Sequence, residues 1–158
     1  MKSQRRLALL ILFFLIVSLA GCAPKKVRVY EYEGPPGPPQ KGDAVVQYAV
    51  GLLGRPYKNG AKGPDAFDCS GFVHYVYKRY EVNVPYTTEE LVHTGYQISR
   101  ENIVAGDLAI FTIKRSYHIG IMMNEREFVH ASTSRGVAIG NLDLPYWRRG
   151  LSHFRRVM

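Results

Sequence analysis

Cysteine is nearly absent from this chain. Its 158 residues hold two, Cys22 and Cys69, too few for a disulfide scaffold, which normally shows several. Long apolar runs are missing too. The one sizeable block, Leu7 to Ala20, has 14 residues, and a membrane-spanning helix needs about 20. The first 21 residues contain no acid. No internal repeat is visible, and no paired-carboxylate constellation of the kind glycoside hydrolysis uses stands out. The length allows one compact domain and is too short for two sizeable ones.

The net charge is +8. Of the 21 Lys and Arg, three (Lys2, Arg5 and Arg6) precede the apolar block, leaving 18 against 13 acids. Such a modest positive field favours an anionic partner. Nucleic acid is the usual first guess for a basic chain, but the targeting segment argues against it. Tyrosine is frequent, with 11 copies, many near Gly and Pro. That pattern suits a mixed α/β surface with an aromatic groove better than a helical bundle.

Residues 1–21 follow the signal-peptide plan of basic start, apolar run and small residues. Leu19-Ala20-Gly21-Cys22 resembles the lipobox of bacterial lipoproteins, which implies acylation of Cys22 and stable membrane attachment through several acyl chains. Ala23 stands where an Asp would mark inner-membrane retention, so the resemblance favours the outer membrane, facing the periplasm, in a cell that has one. An uncleaved apolar anchor and an ordinary secreted protein are the competing readings. Residues 22–42 then form a tether. Gly34-Pro35-Pro36-Gly37-Pro38-Pro39 suits neither helix nor central strand, and about twenty extended residues reach roughly 60 Å. Val27 to Tyr30 alternate enough for a short edge strand.

The domain is expected over 43–158. Val45, Val46, Ala49, Val50, Leu52 and Leu53 recur at helical spacing, with Gly54 and Pro56 as the stop. A second helix is predicted over about Cys69–Tyr80, with Asp68 as N-cap. A third short helix starts at Thr87, where Glu90 completes a capping box. Beyond Gly106 the period changes to strands: Leu108–Ile113, His118–Met123, Glu127–Ser132, Gly136–Ile139 and a last one at Phe154–Val157. Helices first and strands afterwards predict an α+β fold, with N-terminal helices packed on a central antiparallel β-sheet.

Three pieces combine into chemistry. In Asp68-Cys69-Ser70-Gly71, Cys69 falls in the first turn of a helix, where free N–H groups and the positive dipole end favour thiolate. The same amides could receive an oxyanion during acyl transfer. His118 opens one strand and His130 lies on the next. A Cys–His pair needs a third polar group to hold the imidazole tautomer, and a second His could serve. The two rings share a sheet face only if paired residues have an even sum of numbers. A three-residue loop, Asn124 to Arg126, meets that condition and pairs Met123 with Glu127 and Gly120 with His130.

The wording and order of Pro56-Tyr57, Phe67-Asp68-Cys69-Ser70-Gly71-Phe72-Val73, Gly106-Asp107-Leu108, His118-Ile119-Gly120-Ile121 and Val129-His130-Ala131-Ser132 resemble the NlpC-type cell-wall peptidases, a papain-like clan. The resemblance runs from Tyr48 to Val157. It implies Cys69 as nucleophile, His118 as base and then acid, and His130 as the residue that orients His118. It also implies Tyr57, Asp68 and Ser70 near the substrate, no cofactor and no metal. The substrate it implies is a peptidoglycan stem peptide, cut at an amide such as γ-D-glutamyl to diamino acid, by an enzyme expected to be a monomer. One departure is Asn59-Gly60-Ala61, where members often carry an aromatic followed by two glycines.

Each residue also has a plainer reading. A buried cysteine is commonly structural, Asp68 caps a helix in any case, Tyr57 could merely anchor a loop, and Arg135 fits a solvated turn. His74, His93 and His153 match no motif and are expected at the surface. Two other functions compete: a related acyltransferase or lipid amidase with the same Cys–His pair, and a catalytically idle wall-binding module. The order Cys, His, His favours the peptidase over the first, and the intact pair argues against the second.

Overall fold

Three helix starts and one run of strands set the architecture of the computed structural model, which describes Tyr30, residues 32–34 and residues 40–158. The signal segment, Cys22, Val27–Val29 and Pro35–Pro39 lie outside the described residues. Among the described residues no helix is long and apolar enough to cross a membrane.

Helix α1 spans Lys41–Val50, starting two residues before Asp43. The Asp43 carboxylate turns back to accept from the Gln40 N–H at 2.9 Å, satisfying a donor that helix geometry leaves orphaned. Helix α2 spans Cys69–Lys78, and Asp68 Oδ1 accepts from the Gly71 N–H at 2.6 Å. Helix α3 is a single turn, Thr88–Leu91, where Thr87 Oγ1 accepts from the Glu90 N–H at 3.3 Å. The last two are the caps the sequence marks.

Six strands follow: β1 (Tyr96–Ile98), β2 (Leu108–Ile113), β3 (Ser116–Met122), β4 (Glu127–Ser132), β5 (Gly136–Asn141) and β6 (Leu151–Arg156). They form one sheet in the order β1-β6-β2-β3-β4-β5, antiparallel at every step. The fold is α+β, a single domain with its helices packed on an antiparallel sheet. Strand alternation divides the core. Ile119, Ile121, Val129 and Ala131 meet Val45, Val46, Phe72 and Val76 of α1 and α2 on one face. Phe111, Met122, Phe128 and Trp147 pack on the other. Helix α4 (Pro145–Gly150) covers that second face. Its proline sits in the first turn, where the missing N–H costs nothing.

Two side-chain ties hold the frame. Asp107, almost wholly buried, receives Arg156 at two points, Nε to Oδ1 at 2.7 Å and Nη2 to Oδ2 at 2.8 Å, which fastens β6 to the turn that opens β2. Tyr32 is the other. Its hydroxyl lies 3.1 Å from both Asp43 Oδ1 and Met123 O, so Tyr32 itself is docked on the domain.

Two histidines expected at the surface are not there. His74 is buried on α2, where Nδ1 meets Val84 O at 2.8 Å. His153 is half-buried on β6, with Nε2 on Val92 O at 3.1 Å. In each the ring satisfies a carbonyl from a distant loop, a partnership no local pattern encodes. His93 is exposed.

Candidate active site

The β3–β4 hairpin supplies the geometry. Ile121 pairs with Val129 and Met122 with Phe128, and the Met123 N–H donates to Glu127 O at 2.8 Å. This is the even-sum register that places His118 and His130 on one face. Asn124 closes the three-residue loop, its Oδ1 accepting from the Arg126 and Glu127 N–H groups at 2.9 Å each. Ladder pairing of β3 with β4 stops at Ile121–Val129. Beyond that pair the two imidazoles bridge the strands, with His118 Nε2 2.9 Å from His130 Nδ1. The rings stand perpendicular, 5.0 Å between centroids.

Gly120 lies opposite His130 in this register, and a Cβ there would come within 2.3 Å of the Phe128 ring. The rings are boxed by aromatics. Trp147 stacks on His118 at 5.7 Å and meets His130 edge-on at 4.8 Å. Phe128 tilts against His130 at 5.3 Å. No motif in the sequence assigns Trp147 a role. Its signal is Pro145, a helix start that brings the next turn over the hairpin.

A cleft of about 410 Å³ joins these histidines to Cys69 and Tyr57, with Trp147, Tyr146 and Arg135 also on its walls. Arg135 is exposed. Asp68 and Ser70, on either side of Cys69 in the chain, are buried. Lys62 Nζ ties them together, 3.1 Å from each Asp68 carboxylate oxygen and 3.0 Å from Ser70 Oγ. Thr88 is a residue the sequence reading missed: its Oγ1 lies 3.7 Å from Cys69 Sγ, placed there by the Thr87 cap.

Burial decides the resting charge. It pushes the Cys69 thiol up, against the Thr88 hydroxyl and the backbone N–H groups of Ser70 and Cys69, which pull it down. The backbone N–H groups act in the direction expected of a helix start, and desolvation acts against them. Burial likewise lowers His118 to about 4. It lowers His130 to about 3, with the charges of His118 and Arg135 adding to it. Each of these shifts favours the neutral form of its group.

Residues 54–156 match the NlpC/P60 family. Over 104 residues the chain is 36% identical to an Escherichia coli protein named murein DD-endopeptidase MepS/murein LD-carboxypeptidase, a match covering 65% of this chain and 55% of that one. The chain therefore spans about half of that relative. It is 31% identical over 150 residues to the probable endopeptidase NlpC of the same species, covering 88% of this chain and 92% of that one. A crystal structure of an NlpC/P60 family protein from Bacillus cereus superposes with a TM-score of 0.69 at 25% identity, over 80% of this chain and 42% of that one. With its fold, its hairpin register and these matches in agreement, the chain belongs to the NlpC/P60 family.

Proposed function

We propose that this protein is a peptidoglycan endopeptidase that cuts an amide bond of the stem peptide with Cys69 as nucleophile, His118 as base and then acid, and His130 as the residue that orients His118. The observation that carries the reading is the 2.9 Å His118–His130 bond on the wall of the cleft that also holds Cys69.

The proton positions follow from that bond. For His118 to accept from the thiol through Nδ1, its own proton must sit on Nε2 and be donated to His130 Nδ1. His130 then carries its proton on Nε2, an atom with no hydrogen-bond partner among the described residues. Proton transfer from Cys69 to His118 creates both charges together, and each stabilises the other, which offsets the desolvation that keeps the separate groups neutral. Attack on the scissile carbonyl forms an acyl-enzyme while His118 returns the proton to the leaving amine. Water then releases the acyl group, with His118 again as base. The N–H groups of Cys69 and Ser70 at the start of α2 would receive the oxyanion.

Tyr57, Asp68 and Ser70 are proposed to border the bound peptide, Asp68 acting chiefly as cap and as partner of Lys62. The bond we infer is γ-D-glutamyl to diamino acid. A relative named for γ-DL-glutamyl hydrolysis supports that reading, and one named murein DD-endopeptidase makes a DD bond the alternative. Lipidation at Cys22 would hold the enzyme, as a monomer, in the envelope, at the outer membrane of a diderm cell.

Digestion of purified muropeptides, with mass spectrometry of the products, tests both mechanism and bond. Cleavage after γ-D-glutamate is expected, with Cys69→Ala folded and inactive and Cys69→Ser nearly so. Wild-type turnover in Cys69→Ala, or new reducing sugar ends beside intact stems, overturns the reading.

A further inference from the structure

A second cavity, of about 430 Å³, opens beside α2, away from the catalytic cleft. Lys62, Lys78 and Arg79 bring cationic side chains to it, and no Asp or Glu lines it. Lys62 is spent on Asp68 and Ser70. Lys78 and Arg79 are exposed and enter no ion pair among the described residues.

His74 lines the same cavity, and it is 7% exposed. Because Val84 O can only accept, the bond at Nδ1 fixes the proton there. Nε2 is left as a bare acceptor, buried and without a partner among the described residues. Buried polar atoms in folded proteins are nearly always satisfied. Tyr86 stacks on the His74 ring at 3.7 Å, and Tyr75 and Tyr48, stacked at 6.2 Å, also line the cavity.

A ligand that satisfies every wall carries a carboxylate for Lys78 and Arg79, an N–H for His74 Nε2 and an apolar side chain for the tyrosines. The C-terminal residue of a peptide has all three, its own amide N–H lying next to its carboxylate. We propose that this cavity captures the free C-terminus of a peptide, which, on the hydrolase reading above, is that of a stem peptide neighbouring the one being cut. Position supports this. Ser70, His74 and Lys78 follow at four-residue intervals on one side of α2. The cavity therefore lies about 6 to 12 Å along the helix from Ser70, an interval of about two to four extended residues.

The test is an NMR titration of the full chain in detergent micelles, as Cys69→Ala, with acetyl-D-alanyl-D-alanine and with the same peptide amidated at its C-terminus. The carboxylate is expected to shift the His74 ring resonance, and the amide to bind at least tenfold more weakly. The double variant Lys78→Ala/Arg79→Ala should lose at least tenfold in affinity. With Cys69 restored it should hydrolyse a short soluble muropeptide as the wild type does. Equal affinity for carboxylate and amide, unchanged binding in the double variant, or shifts confined to His118 and His130 would overturn the assignment. Binding is read without turnover, so failure of the hydrolase reading, seen as soluble muropeptide left intact by the wild type, is a separate result.

Discussion

In the proposed mechanism the 2.9 Å contact between His118 Nε2 and His130 Nδ1 makes one imidazole the acceptor that sets the tautomer of another. A carboxylate in that position would add a full charge; an imidazole supplies only a lone pair and leaves the pair uncharged at rest. On the proposed mechanism the role of His130 is orientation, and its loss should be partial. His130→Ala is expected to lower kcat about a hundredfold, the low end of what a positioned acid–base group contributes, whereas His118→Ala should remove turnover. His130→Gln, which can keep an acceptor oxygen near Nε2, should recover part of the loss. Turnover of muropeptides by the three variants under saturating substrate checks the order, and equal loss in His130→Ala and His118→Ala would make His130 a proton carrier instead.

Strand β3 carries a glycine two residues after His118 for a steric reason. The Phe128 ring lies over Gly120, leaving no room for a Cβ. Gly120→Ala should therefore cost about 1–3 kcal/mol, as overpacked cores do, and Phe128→Leu in the same chain should return part of it. Urea unfolding midpoints measure both, and an unaffected Gly120→Ala would mean that the ring moves aside freely. Register was legible in the sequence because period-two alternation and the loop Asn124 to Arg126 act locally. The caps at Asp68 and Thr87 were legible for the same reason. Strand β1, three residues long and mostly exposed, has no apolar alternation and exists only through pairing with β6. Helix α4 and Trp147 were missed because a six-residue element draws its stability from the face it covers, not from its own pattern. The buried state of His74 rested on a carbonyl ten residues away, and the raised thiol of Cys69 on burial that only the assembled cleft creates.

Proton linkage at the histidine pair reaches the stability of the entire domain. Both rings hold a proton more weakly when folded, near 4 and 3 against an ordinary 6.5. Between these values the unfolded chain binds more protons, so stability from keeping the rings neutral is complete above about pH 6.5. It is lost as pH falls toward 4, at up to about 1.4 kcal/mol per pH unit for each ring. The variant His118→Gln/His130→Gln should show a shallower decline in urea midpoint over that window, and identical slopes would place the acid sensitivity elsewhere. The proposed lipid anchor yields a simpler expectation. Cys22→Ala should release the protein from membranes with its activity intact in solution, and retention after a salt wash would identify an uncleaved apolar anchor. Tyr32 gives that attachment a direction. It is fastened at Met123, about 17 Å along β3 from His118 at roughly 3.4 Å per residue. A lipid anchor at Cys22 would therefore be followed by a chain that meets the domain at the hairpin tip, at the far end of the strand from His118.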